Sequence, residues 1–170
     1  MKTTDNQDEV FVVVDRDDNI IGYKTRYECH HDKRLIHRTV GVLIYDDKGR
    51  VLLQKRSMTK DTNPGAWGIS CAGHVTKGQT YLEAVKRELK EELGIELLVE
   101  FKKRFIAAVD IETEMDTLFE ARSSGPFFPN PEEIDRVEFF DKKWLPHKIA
   151  TNVITLSECA KVSLKEAGIL

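Results

Sequence analysis

Apolar and polar positions alternate in short blocks along the first third of the chain. Val10 to Asp15 is a β-branched and aromatic run, Asp17-Asp18-Asn19 carries turn chemistry, and Ile20 to Lys24 resumes the run, which predicts a hairpin. Thr39 to Tyr45 and Arg50 to Lys55, joined by Asp46-Asp47-Lys48-Gly49, repeat the pattern and predict a second hairpin. The period then changes. Leu82, Val85, Leu89 and Leu93 recur at helical spacing, Thr80 and Glu83 form a capping box and Gly94 supplies a stop, which predicts a helix over Thr80 to Leu93. Strands are expected at Leu97 to Asp110, Glu114 to Arg122 and Val137 to Phe140, with Pro126, Pro129 and Pro131 keeping the stretch before the last one irregular. Thr155-x-x-Glu158 opens a final amphipathic helix through Val162, Leu164 and Ala167. Strands, helix, strands and helix in that order argue an α+β or sandwiched architecture instead of a regular βαβ repeat.

With 170 residues, 41% hydrophobic and 32% charged, the chain can fill one core, and no repeat, low-complexity tract or linker divides it. It reads as a single domain over 1–170. A net charge of −3 lacks the basic surplus of a general binder of nucleic acid polymers or anionic membranes. A phosphate ligand would therefore need a few placed cations or metal ions. No apolar run approaches the ~20 residues of a membrane span, and the polar, acidic first ten residues do not look like a secretory leader. Cys29, Cys71 and Cys159 are odd in number and widely spread, which suits reduced thiols and a cytoplasmic location.

The chemistry concentrates on the central helix. Glu88, Glu91 and Glu92 stand at i, i+3 and i+4, so three carboxylates converge beside the apolar stripe. Like charges so placed repel unless cations neutralise them, and oxygen-only ligation suits hard Mg2+ or Mn2+. Taken alone, the trio would also fit an ordinary solvated helix face. Gly73 lies fifteen residues before Glu88, and Arg87-Glu88-Leu89-Lys90-Glu91-Glu92-Leu93-Gly94-Ile95 follows unbroken. This stretch, 73–95, resembles the Nudix box, G-x5-E-x7-R-E-U-x-E-E-x-G-U with U aliphatic. One position departs: Gln79 stands where the box has its first glutamate. The resemblance implies a Nudix-like α/β/α sandwich with a mixed central sheet. It implies that Glu88, Glu91 and Glu92, with the Gly73 carbonyl, bind Mg2+ or Mn2+ against a diphosphate, and that Arg87 orients the carboxylates. An Arg87–Glu83 helix pair is the plain structural alternative for that arginine. In the family the side chain at position 79 commonly ties the loop to the box arginine, so Gln79 implies a weaker loop and looser metal binding.

The resemblance runs on through Val14-Asp15, Asp18-Asn19-Ile20-Ile21-Gly22, Glu28-Cys29-His30, Leu35-Ile36-His37-Arg38, Lys55-Arg56-Ser57, Thr59-Lys60-Asp61, Pro64-Gly65-x-Trp67 and Gly73-His74. These segments look like the Nudix branch that includes the type I isopentenyl-diphosphate isomerases. Those isomerases carry a metal site of three histidines and two glutamates, and the matching positions here are His30, His37, His74, Glu112 and Glu114. Arg56 and Lys60 match their diphosphate-binding positions, with Arg26 a further candidate. The isomerases' catalytic cysteine immediately precedes the Gly-His or Ser-His pair. Here Ala72 holds that place, and Cys71, one residue earlier on an extended chain, would point to the other face. Residues 148–170 contain no aromatic residue, whereas the isomerases shield their carbocation with a tryptophan-bearing segment.

These features together favour a metal-dependent hydrolase with Glu88, Arg87 and Glu91 as catalytic residues. Its substrate would be a small-molecule nucleoside diphosphate linked to another moiety. A type I isopentenyl-diphosphate isomerase and a non-catalytic diphosphate-binding module stand as alternatives. The chain would act as a monomer or homodimer.

Overall fold

In the computed structural model, which describes residues 5–109 and 111–170, a ten-residue strand organises the molecule. The elements are β1 (Val10–Val14), β2 (Ile20–Thr25), α1 (Arg26–Cys29), β3 (Ile36–Tyr45), β4 (Val51–Arg56), β5 (Trp67–Gly68) and β6 (Cys71–His74). There follow α2 (Tyr81–Leu93), β7 (Glu100–Ala108), β8 (Thr113–Arg122), β9 (Ile134–Phe140), α3 (Leu145–Ala150) and α4 (Glu158–Glu166). The near-continuous apolar run of β3 is what a strand covered on both faces requires. Val40, Val42 and Ile44 pack with Val85, Leu89 and Leu93 of α2. Leu43 packs in a second core cluster with Leu53, Trp67, Leu118, Leu145 of α3 and Leu164 of α4. The result is the expected three-layer α/β/α sandwich. Its sheet is mixed: β8 runs parallel to β3 from Ile36↔Thr113 to Tyr45↔Arg122, whereas β1 and β6 pair with β3 antiparallel.

The first hairpin forms as expected, with β1 and β2 antiparallel from Val10↔Thr25 to Val14↔Ile20. The second forms only at its turn. Asp46 Oδ1 accepts from the backbone N–H groups of Lys48 and Arg50, and Gly49 takes a φ of +75° that suits glycine. The two strands then pair with each other only at Tyr45↔Val51 and part, β4 going to β9 and β5. Strand β6 explains the divergence: it takes Thr39–Val42 on the edge of β3 that β4 would otherwise follow, while β8 fills the opposite edge.

Helix α2 carries the expected caps: Thr80 and Glu83 satisfy each other's backbone N–H groups, and Gly94 closes the helix in the left-handed region. Leu82 departs from the expected stripe. It stands 47% exposed in the first turn, and Ala84 takes a buried place instead. The final helix starts two residues later than its Thr155 signal. Residues 155–157 stay extended because Trp67 N–H donates to Thr155 O and Ser157 N–H donates to Trp67 O, so Ser157 becomes the N-cap. Strand β7 begins at Glu100, not Leu97, and Asp110, its expected end, lies outside the described residues. Strand β9 begins three residues before Val137. The short helices α1 and α3 had no expected counterpart. Among the described residues, no helix is long and apolar enough to cross a membrane.

The altered stripe is measurable. Leu89→Ala should cost about 2–5 kcal/mol of unfolding free energy by urea titration, while Leu82→Ala should stay within about 0.5 kcal/mol. Equal losses would contradict the packing described.

Candidate active site

Strand β6 and helix α2 face each other across the box, and a missing side chain sets their approach. A Cβ on Gly73 would fall 2.0 Å from the Glu88 carboxyl carbon. The glycine is needed for space, which lets Glu88 lie directly on the strand. Glu92 is buried one turn on, where its Oε2 accepts from Gln54 Nε2 at 3.0 Å and from the Ala72 backbone N–H at 3.2 Å. Glu91 stands apart on the rim, its side chain 56% exposed. Arg87 joins the parts: Nη2 lies 2.7 Å from Glu88 Oε1 and donates to His74 O at 2.8 Å, and Nη1 donates to Glu91 Oε2 at 2.7 Å. The alternative pairing with Glu83 does not form, because that carboxylate is held in the capping box. Gln79 accepts from the Thr76 hydroxyl at 2.7 Å, so it braces the loop onto itself and not onto Arg87, whose Nε is buried without a partner.

Burial, with Glu92 close by, pushes the Glu88 carboxyl up to about 8 against the opposing charge of Arg87. Burial raises Glu92 as well. Two buried carboxylates that Arg87 alone does not offset, all oxygen donors, fit a hard divalent cation.

A second constellation adjoins the first. His30 caps α1, His37 lies on β3, His74 ends β6 and Glu112 precedes β8. One ligand atom from each lies within 4.8 Å of all the others. Glu112 Oε2 is 2.9 Å from His30 Nε2 and 3.4 Å from His37 Nε2, yet it is aligned with neither as a hydrogen bond. Both ring nitrogens of the fully buried His37 also lack partners. Phe11 stacks on His74 at 3.9 Å and seals that side with an apolar ring. Burial holds the His74 imidazole well below its ordinary pKa, helped by Arg26 and the neighbouring imidazoles. Burial would raise Glu112, but His30 and His37 outweigh it and hold it at about 2. Orphaned donor atoms around one point fit a metal ion bound by imidazole and carboxylate. Glu114, the fifth expected residue, gathers with Glu112 and Cys159.

The box residues and His30, His74, Glu112 and Glu114 line one cavity of about 490 Å3, with His37 buried behind it. A larger surface depression of about 950 Å3, beside Tyr45 and Leu98, holds none of these side chains. Ala72 faces the cavity, whereas Cys71 is fully buried in the core, as the alternation along an extended chain requires. Two of the three expected cations are engaged. Arg26 clasps Asp61 through Nε and Nη2 at 3.0 Å each, and Lys60 pairs with Asp5 and Glu133. Arg56 donates only to the Thr62 carbonyl and hydroxyl at 3.1 Å, and forms no ion pair among the described residues.

Among the cavity residues that sequence reasoning missed are Gln54, Asp116, Cys159 and Ser163. Asp116 continues the period of two from Glu112 and Glu114, so the signal was present and followed one step short. Burial lifts its carboxyl to about 6 against hydrogen bonds from Ser163 and Thr39. Cys159 and Ser163 are one turn apart on α4 and interrupt its apolar face.

The raised Glu88 pKa implies a pH dependence. A folded carboxyl at about 8 and an unfolded one at 4.5 make the folded state hold the extra proton between them. The metal-free protein should therefore lose stability as pH rises through that window. Glu88→Gln should flatten the loss in thermal melts, and Mg2+ should raise Tm more at pH 8.5 than at pH 5.5.

Residues 35–157 match the family model described as NUDIX domain. The isopentenyl-diphosphate Delta-isomerase of Mycolicibacterium vanbaalenii is 35% identical over 145 residues, spanning 81% of this chain and 77% of its own. A Yersinia pestis protein named an uncharacterized Nudix hydrolase is 36% identical over 127 residues, spanning 74% of this chain and 69% of its own. The crystal structure of DR0079 from Deinococcus radiodurans shares the fold with a TM-score of 0.79 at 25% identity, over 91% of this chain and 96% of that one. Family model, relatives and box geometry agree: the chain belongs to the Nudix family, in the branch that includes the isopentenyl-diphosphate isomerases.

Proposed function

We propose that this chain is a metal-dependent hydrolase that cleaves a phosphoanhydride bond in a nucleoside diphosphate linked to another moiety. The observation that carries this reading is the burial of Glu88 and Glu92 beside Gly73, with Arg87 holding Glu88 and Glu91. Glu88, Glu91 and Glu92, with the Gly73 carbonyl, would hold Mg2+ or Mn2+. Such an ion, when bound, neutralises charge on a diphosphate and lowers the pKa of water.

Electrostatics require the ion to be in place before, or to arrive with, the diphosphate. A carboxylate and a phosphate oxygen 4 Å apart repel by about 4 kcal/mol at an effective dielectric near 20. Exposed ion pairs return only about 0–1 kcal/mol each, so Arg56 alone cannot admit a diphosphate to this acidic cavity. Arg56 orients the bound diphosphate through its planar fork. Lys60 and Arg26 contribute as their pairs with Asp5, Asp61 and Glu133 open. Arg87 fixes the two carboxylates it touches, Glu88 and Glu91, and so orients the oxygens that would hold the ion.

Isomerisation is the second reading, favoured by the name of the Mycolicibacterium relative and by the histidine cluster. It requires a positioned acid and base at carbon. Against it, the cavity wall presents Ala72 where the isomerases place their cysteine.

The two readings separate on a panel of nucleoside di- and triphosphates, sugar nucleotides, dinucleoside polyphosphates and isopentenyl diphosphate. The panel is run with Mg2+ or Mn2+ and read for both phosphate release and isomerisation. Phosphate release is expected; equilibration of isopentenyl and dimethylallyl diphosphates without it would replace this proposal. Glu92→Gln should lower kcat at least ~100-fold, since losing a ligand removes several kcal/mol at about 1.4 kcal/mol per tenfold. Cys71→Ala should leave turnover nearly unchanged, whereas an isomerase using that thiol would lose its activity.

A further inference from the structure

The segment before β1 runs along the cavity, and its Asp5 and Asn6 line it. The Asp5 side chain is buried among donors. Its Oδ1 pairs with Lys60 Nζ and lies 3.5 Å from Arg26 Nη2, and its Oδ2 accepts from the Asp61 backbone N–H at 2.9 Å. An ammonium, a guanidinium and a backbone N–H converging on one anionic group are the donors that a phosphate recruits. The fold has built an anion position from the cations a diphosphate needs and has filled it with its own carboxylate. Asp61 and Glu133 engage the same cations but are fixed in place. Asp61 follows Lys60 directly and holds Arg26 through two hydrogen bonds, and the Glu133 carbonyl accepts from Ser57 N–H just before β9. Asp5 is different, because residues 5–8 pair with no strand. Besides Asp5, the Gln7 carbonyl accepts from Tyr27 N–H at 3.1 Å and Gln7 Nε2 donates to Asp61 at 3.0 Å. The segment can lift without unpairing the sheet.

We propose that residues 5–8 form a strap whose Asp5 carboxylate occupies a phosphate position between Arg26, Lys60 and the Asp61 N–H, and that a diphosphate enters the cavity by displacing it. This rests on the reading that the cavity takes a diphosphate, but not on what becomes of the diphosphate once bound. A closed strap lowers the apparent affinity by the fraction of time the site is open, so closure for about nine-tenths of the time costs about tenfold. It also sets a threshold for the ligand. A single oxyanion merely exchanges with Asp5, like for like, whereas a diphosphate reaches Arg56 with its second phosphate, and Arg56 forms no ion pair among the described residues.

Inorganic pyrophosphate, titrated calorimetrically into the full chain with Mg2+ present throughout, tests the strap. Asp5→Asn should tighten binding about tenfold. Asp8→Asn removes an equal charge from an exposed position on the same segment and should change binding less than about twofold, because solvent and salt screen that charge. Weaker or unchanged binding in Asp5→Asn would overturn the proposal, since the strap would then be part of the complex or no obstacle to it. An equal gain in both variants would also overturn it, by reducing the effect to net charge. Hydrogen exchange needs no variant: pyrophosphate should speed exchange of the Tyr27 amide, which donates to the strap at Gln7, and slower exchange would show the strap closing over the ligand and refute its role as a competitor. Failure of hydrolysis is a separate result. No phosphate release from any compound, beside a tenfold gain in Asp5→Asn, would sink the catalytic reading and leave the strap standing, whereas no pyrophosphate binding by any form would sink the strap whatever the box turns over.

Discussion

The cost of burying like charges governs this molecule. Glu88, Glu92, Glu112, Glu114 and Asp116 are all buried and all line one cavity, and few of their charges are matched by protein cations. A buried carboxylate is tolerated only if it is protonated, paired or bound to a cation. Here the hydrophobic layers supply the stability that holds these groups together in spite of their repulsion. Gly73 is the point where the two requirements meet, because a side chain there would push Glu88 off the strand and back toward water.

Two registers bring the halves of the cavity together. Pairing of β3 with β6 sets Thr39 opposite His74 and Val40 opposite Gly73, which joins the histidine cluster to the box. Pairing of β3 with β8 sets His37 opposite Glu114, which brings the strand carboxylates to the same floor. A slip of one residue in either register would turn alternate side chains to the opposite face of the sheet. The site is thus encoded as much in strand pairing as in the residues that carry its chemistry.

What was legible in the sequence follows from the range of the forces involved. The caps of α2, the β1–β2 hairpin and the acidic arc on the helix are local, and the chain states them within a few residues. The separation of β3 from β4, the late start of α4 and the exposure of Leu82 depend on partners far along the chain, which no local pattern contains. The same division runs through the site. Gly73, Arg87 and the box glutamates could be read from spacing, and the histidines from resemblance. Cys159 and Gln54 reach the cavity only through tertiary packing, and the pairing of Lys60 and Arg26 with Asp5 and Asp61 had no sequence signal.

The parallel ladder between β3 and β8 joins segments more than seventy residues apart, with α2 and four strands lying between them. Closing such a loop costs chain entropy before its contacts repay it, which places this pairing among the slow events of folding. The helix that bears the box can form early on its own caps, but the cavity that gives it purpose cannot exist until the ladder closes. During synthesis, therefore, β3 must wait with its apolar edge uncovered while the rest of the chain emerges, and that interval is when this protein is most exposed to aggregation.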